Sequence, residues 1–329
     1  MRKTTLALAV IALAPVRPAA AQTPAPPSHH ERAPEDPFRL QPLAGGVYVL
    51  YGRGGNVAFF VGPEAVVVVD SQFKDVAPGI VEKIKTVTDK PVKYLLNTHH
   101  HGDHVGGNEV FRPFAVIVAH DNVRKRMLAS PQTILREYPQ RLEDAQKAGN
   151  QDSVKFLSEQ IEWAKKVKIE EIAAPVLTFD SELRIHVGGE TIHVWHTPPA
   201  HTDGDGVVFF EKANVAHMGD LFFHKVIPFI DIAGGGSVKG YLEAHARVIA
   251  RVPPDVTIIP GHGEVTDLAG LRGSRQYILD ILDAAKKAKA AGKPKEQFLK
   301  EVDLPAYKDY RGYAARFKDN CAAAYDEVE

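Results

Sequence analysis

Apolar residues in this chain come in short runs cut by glycine, proline and asparagine. Val47 to Tyr51, Val57 to Val61 and Ala65 to Val69 are separated by Gly52-Arg53-Gly54-Gly55 and Gly62-Pro63-Glu64, a spacing that predicts a β-meander. Val92 to Leu96 and Ala115 to Val118 predict two more buried strands. The same pattern resumes after Val176. Leu183 to Val187 and Thr191 to His196 flank Gly188-Gly189 as a hairpin. Val207 to Glu211 and Val215 to Met218 flank Lys212-Ala213-Asn214, and Val256 to Ile259 runs into Pro260-Gly261-His262-Gly263. Elsewhere the apolar period lengthens to that of a helix: over 75–89 (Ile80, Ile84, Val87), 121–128, Tyr241 to Val252 (Leu242, His245, Ile249) and 267–290. Residues 130–170 are charged, with a break at Gly149-Asn150 and apolar anchors at Leu135, Leu142, Phe156, Leu157, Ile161 and Trp163. They predict a helical hairpin, either overhanging a site or serving as scaffold. Strands and helices on both sides of a helical insertion predict an α/β fold with two sheets between helices.

The amino terminus has a different pattern. Arg2 and Lys3 precede an apolar run from Leu6 to Ala14, and Ala19-Ala20-Ala21 precedes Gln22. This predicts a signal peptide over 1–21, cut after Ala21, and a periplasmic or secreted protein. The run is too short for a stable membrane anchor. Residues 22–39 are proline-rich and predict a flexible leader, which leaves 40–329 as the folded body, with 267–329 a helical extension. Loss of Arg2, Lys3 and Arg17 takes the formal charge from −1 to −4, and no basic stripe argues for a nucleic-acid partner. The single cysteine, Cys321, excludes an intramolecular disulfide. Nothing in the sequence signals an oligomeric state.

Chemistry concentrates where the strand Val92 to Leu96 ends, in Asn97-Thr98-His99-His100-His101-Gly102-Asp103-His104-Val105-Gly106-Gly107. Imidazole nitrogens and carboxylate oxygens are the usual zinc ligands. On an extended segment His99 and His101 project to one side and can share a metal, while Asp103 and His104, past the Gly102 bend, can face a second. A His-rich surface loop is the plain alternative, but it would need neither the apolar strand nor the aspartate. Three more strand ends carry suitable groups: Ala200-His201-Thr202-Asp203-Gly204-Asp205, His217-Met218-Gly219-Asp220 and Gly261-His262-Gly263. Asp70 closes a strand and is either an acceptor for the histidine loop or a turn residue.

These motifs, in this order over residues 40–265, resemble the metallo-β-lactamase superfamily, whose His-x-His-x-Asp-His signature stands here as His99, His101, Asp103 and His104. The resemblance implies a four-layer αβ/βα sandwich with a metal site on one edge. It implies two zinc ions per chain: His99, His101 and His201 on the first, Asp103, His104 and His262 on the second, and Asp220 bridging. It also implies an attack by metal-activated hydroxide on the carbonyl of a small-molecule substrate, with Asp103 orienting the nucleophile or taking a proton. His196 is set aside as a ligand because the family pattern places the ligand directly before Thr202. His186, His193 and His217 read as strand residues, and His100 as pointing away. Asp205 reads as a support or a turn residue, His224 and Lys225 as lining the substrate mouth, and the Gly234 to Ser237 loop as flexible, either closing over substrate or merely connecting.

Export makes the chain similar to class B β-lactamases, so hydrolysis of a small cyclic amide or ester is the leading expectation. Asp220 is more similar to glyoxalase II-type thioester and lactone hydrolases; one β-lactamase subclass has Cys there and Lys three residues later, where this chain has Phe223, with Lys225 close by. Ala200 departs from the Gly that often precedes the ligand histidine. An iron-dependent persulfide dioxygenase-like enzyme and a non-catalytic periplasmic metal-binding protein are the other readings. The last fits the ligand set poorly, because a structural zinc site closes with four protein ligands. His101, where flavodiiron relatives have Glu, argues against that branch.

Overall fold

A computed structural model describes residues 37–329. The expected signal peptide over 1–21 and the expected leader up to Asp36 lie outside the described residues. Strand β1 (Arg39–Pro42) pairs antiparallel with β2 (Val47–Tyr51), followed by β3 (Val57–Val61) and β4 (Val66–Val69). β1 was not foreseen, and it moves the end of the expected 22–39 leader back to at least Phe38. Its residues alternate without a strong apolar signal because the strand lies at a sheet edge. Helix α1 (Ala77–Lys85) leads to β5 (Val92–Leu96), two short helices α2 (Gly102–Val105) and α3 (Asn108–Phe111), and β6 (Val116–His120).

The insertion differs from its expected bounds of 130–170. Helix α4 runs unbroken over Asp121–Lys147 and α5 over Gln151–Lys166, so the predicted helix at 121–128 and the first arm of the hairpin are one element. Pro131 lies inside α4, where proline removes a helical hydrogen bond and crowds the preceding turn. Here Ser130 Oγ donates to the Met127 carbonyl at 2.8 Å, satisfying the acceptor that Pro131 has no N–H to reach. Leu157 of the named anchors is buried, whereas Leu135, Phe156 and Trp163 are exposed.

The chain continues through β7 (Leu177–Phe179), β8 (Glu182–Val187), β9 (Glu190–His196), β10 (Gly206–Phe210), β11 (Val215–His217), α6 (Val238–Arg251) and β12 (Thr257–Ile259). It ends in α7 (Leu268–Ala290), α8 (Lys295–Glu301) and α9 (Tyr313–Glu327). One sheet has seven strands in the order β1-β2-β3-β4-β5-β6-β7, antiparallel up to β4 and parallel after it. The other has five, ordered β12-β11-β10-β9-β8.

Strand alternation explains the layers. In β4, Val67 and Val69 join Phe60, Ile192, Val208 and Ile259 in a core between the sheets. Val66 and Val68 face the other way, onto Ile80, Ile84 and Phe111. In β10, Val208 and Phe210 point to the middle core, while Val207 and Phe209 meet Tyr241, Val248 and Ile278 under α6 and α7. This is the helix–sheet–sheet–helix sandwich expected from sequence, with a helical-hairpin insertion. The extension from α7 onward belongs to the outer helical layer, where Ile281, Phe317, Cys321 and Ala324 are buried. Among the described residues no helix is long and apolar enough to cross a membrane.

Candidate metal centre

The site forms where strands from both sheets end. β5 hands over to Asn97, whose side chain exchanges two hydrogen bonds with that of Asn108 at 3.1 and 2.8 Å. Thr98 donates to the Asp70 carboxylate from both its backbone N and its Oγ1, each at 2.8 Å. His101 precedes the first turn of α2, so Asp103 and His104 stand on a short helix rather than on an open bend. Asp70 itself has a left-handed φ of 64°. That backbone costs a non-glycine residue about 1–2 kcal/mol, offset by its bonds to Thr98 and by His104 Nδ1 at 2.7 Å.

The sequence-derived residues fall into two adjoining clusters able to hold a metal: His99, His101, His201 and Asp220, and Asp103, His104 and His262. His101 Nδ1 and His201 Nε2 are 2.9 Å apart. Asp220 stands between the clusters. Its Oδ2 lies 3.5 Å from His201 Nε2 and 3.9 Å from His99 Nε2. Its Oδ1 lies 3.2 Å from His104 Nε2 and 3.5 Å from His262 Nε2. Asp103 Oδ2 is 3.2 Å from His262 Nε2 and 3.8 Å from His104 Nε2. Ligand atoms about 2.0–2.1 Å from a tetrahedral zinc are about 3.3 Å from one another, so these separations are those of groups converging on cations. Two close approaches demand glycine: a Cβ on Gly55 would overlap the His104 ring, and one on Gly261 would overlap Asp220 Oδ1.

The hydrogen-bond network fixes which ring nitrogens are bare. A carbonyl only accepts, so His201 Nδ1 carries the proton it donates to the Phe229 carbonyl at 2.6 Å, and Nε2 presents a lone pair. His101 donates from Nε2 to Asp231 Oδ2 at 2.9 Å, leaving Nδ1 bare. Thr98 Oγ1 spends its proton on Asp70, so it accepts from His99 Nδ1 at 3.0 Å and leaves His99 Nε2 bare. The bare nitrogens of His101 and His201 therefore point lone pair to lone pair, an arrangement that a cation between them relieves. His99 Nε2, His104 Nε2 and Asp220 Oδ1 are buried without a hydrogen-bond partner. Buried polar atoms are normally satisfied, so the donor set fits metal ions.

Charge follows the same division. Burial, then the neighbouring His104 and His201, holds His99 well below the usual imidazole range; burial lowers His201 to about 3. These are neutral rings, the form that binds metal. In the second cluster burial opposes charge, yet Asp220 and Asp103 outweigh it. They raise His104 well above its ordinary value and His262 to about 9. Burial would raise Asp103, but His104 and His262 bring it down to about 2. Protons there occupy the place of a cation, and metal uptake displaces them.

The remaining candidates separate. Asp70 is a positioning group for His99 and His104. Asp205 accepts from Thr202 N at 2.9 Å and Thr202 Oγ1 at 2.6 Å, bracing the loop behind His201; burial raises it to about 7. His224 gives its Nδ1 to the Glu264 carbonyl at 2.8 Å and Lys225 is exposed, and neither belongs to the clusters. His196 stacks on His120 with ring centres 3.8 Å apart, and His217 bonds the Asn56 carbonyl at 2.9 Å, so both are structural. His100 does not point away: its ring lies 4.9 Å from that of His101, and it groups with His101 and Asp231. The Gly234 to Ser237 loop is held, with Gly234 N and Gly236 N bonded to Asp231 at 2.9 and 2.7 Å. Asp231 is the functional residue that sequence reasoning missed. Its one signal is a lone carboxylate in the run Ile227 to Ile232.

Carboxylates behind metal-bound histidines typically contribute 10- to 100-fold in metal affinity. Asp70→Asn is accordingly expected to weaken binding at the second cluster by about 10- to 100-fold, read by competition against a zinc-chelating dye. Unchanged affinity would remove Asp70 from the site.

Comparison with known proteins gives a consistent picture. The sequence model of the metallo-beta-lactamase superfamily matches residues 50–262. An uncharacterized protein from Aquifex aeolicus (strain VF5) is 31% identical over 99 residues, 30% of this chain and 46% of that protein, so the match spans less than half the relative's length. Among solved structures, a metallo-beta-lactamase from Pontibacter korlensis aligns with a TM-score of 0.55 at 18% identity, covering 74% of this chain and 99% of the other. The DIM-1 metallo-beta-lactamase aligns with a TM-score of 0.53 at 14% identity, covering 74% and 97%. At these identities the structural likeness is one of fold.

Proposed function

This chain belongs to the metallo-β-lactamase superfamily, and from that premise we propose that it is an exported dinuclear zinc hydrolase acting on the carbonyl of a small cyclic amide or ester. Membership and the His/Asp clusters support the coarser reading, a metal-dependent hydrolase. The observation that carries the dinuclear reading is Asp220, whose two oxygens are divided between the clusters.

Bound at these clusters, two zinc ions would supply a water acidified toward neutral pH and polarisation of an acyl oxygen. The protein's own residues do the rest. His99, His101 and His201 would hold the first ion and Asp103, His104 and His262 the second, with Asp220 placed to serve both. Asp103 is ionised and partly exposed, at 27%. Asp103, with Oδ2 3.2 Å from His262 Nε2, is placed to orient a hydrogen bond to the nucleophile. Phe229, 42% exposed, has its ring 5.7 Å from that of His101 and gives the acyl group an apolar wall.

A second reading, a thioester or lactone hydrolase, is favoured by Phe223. It is buried and stacked on His262 with ring centres 5.3 Å apart, so no cation stands three residues after Asp220. A chromogenic cephalosporin offered to the zinc-loaded protein, with a chelated sample alongside, separates the two. Turnover lost on chelation is the expected result. A protein holding two zincs without turnover would overturn the cyclic-amide reading and select lactones and thioesters.

A further inference from the structure

Two supports behind the first cluster lie in one irregular segment between β11 and α6. The Phe229 carbonyl takes the His201 proton and Asp231 takes that of His101. Asp231 also donates its backbone N to the His201 carbonyl at 3.0 Å. The segment is therefore the backing of two ligand rings. Some of its anchors, such as Arg126 Nη1 on the Ala233 carbonyl at 3.1 Å and Ser237 N on the Ala200 carbonyl at 2.8 Å, come from within the superfamily match, and a second set comes from outside it.

This second set lies at the carboxyl end of the chain. Ile227 N donates to the Arg311 carbonyl at 2.9 Å, and Arg311 N to the Lys225 carbonyl at 3.2 Å. Asn320 Nδ2 donates to the Pro228 carbonyl at 2.9 Å, and Asn320 is only 3% exposed. The Arg316 guanidinium sits 5.5 Å from the centre of the Phe229 ring. Glu327 receives Ser237 Oγ at 3.0 Å, Val238 N at 2.7 Å and Lys239 N at 2.8 Å. Arg316, Asn320 and Glu327 are four and seven residues apart, so they share one face of α9. The adjoining face, with Phe317, Cys321 and Ala324, is set into the core.

We infer that α9 is a positioning helix for the first metal: its Arg316–Asn320–Glu327 face splints residues 226–238, and so sets how tightly His101 and His201 hold their ion. The inference rests on the proposed metal centre. A segment pinned at both ends keeps the Phe229 carbonyl and Asp231 in place before metal arrives. A loosened one must be ordered on binding, at an entropic cost.

The test titrates the full chain with zinc against a chelating dye and with cobalt, whose visible spectrum reports ligand geometry. Asn320→Ala and Glu327→Gln are compared with wild type; the latter leaves the buried face of α9 untouched. Each is expected to weaken the first cluster about tenfold, to alter its cobalt spectrum and to leave the second cluster within about twofold. The loss shrinks in an Asp231→Asn background, where one of the two supports is already weakened. Lowered melting temperature with an unchanged ratio of the two affinities overturns the inference, as does an equal loss in both backgrounds. A wild-type chain that takes up no metal overturns the proposed centre as well, which distinguishes the two failures.

Discussion

Asp220→Asn is expected to lower hydrolytic turnover by about a thousandfold or more, the scale seen when a preorganised charge is removed from a reacting centre, and to cut bound zinc from two ions toward one. The substitution keeps the shape of the side chain and removes its charge. Burial would push the Asp220 carboxyl up, yet His262, His104 and His201 hold it well below the usual range, so it is fully ionised where they meet it. With an amide there, one group faces His104 and His262 and the other faces His201, and the pair can no longer offer two anionic oxygens. Metal analysis beside kinetics reads both effects. A variant with two zincs and wild-type turnover would show that Asp220 bridges nothing.

Chelation should lower the melting midpoint by about 15 °C. Each ion held at a thousand times its dissociation constant contributes about 4 kcal/mol, and a folded body of this size moves about 2 °C per kcal/mol. The direction follows from the site: without cations, His99 Nε2 is buried without a hydrogen-bond partner and only a proton can join His101 Nδ1 and His201 Nε2 across their 2.9 Å gap. The stabilisation fades in acid, because His104 and His262 must release protons to bind metal. Calorimetry with and without chelator at neutral pH is the check. Coincident melting curves would mean that the clusters hold no metal.

The ligand motif was legible because its chemistry is local. His99 to His104 occupy one loop, and strand alternation announces that loop from Val92 onward. The strands of the middle core were legible for the same reason, since burial on both faces leaves an unbroken apolar run such as Val66 to Val69. Contacts that depend on distant chain were not. Asp231 supports His101 across 130 residues of sequence, with no spacing to betray it. The continuity of α4 was missed because the apolar pattern of 121–128 gives way at residue 130 to a charged stretch with few apolar anchors. Arg39–Pro42 escaped because an edge strand needs little apolar signal to pair. His224 does adjoin the site, its backbone N donating to the His262 carbonyl at 3.0 Å, while its ring turns to the Glu264 carbonyl; sequence spacing shows the first and not the second.

The division of ligands between the sheets has a bearing on how this chain comes of age. The loop after β5 is made early in synthesis, while His201, Asp220 and His262 emerge progressively later, the last well over half-way along the chain. A nascent chain that stops short of His262 owns a histidine-rich loop but not the enclosure that would discriminate among cations. The full set of candidate ligands therefore exists only once His262 has been made, so the enclosure cannot be complete before the later half of the chain has joined the earlier one.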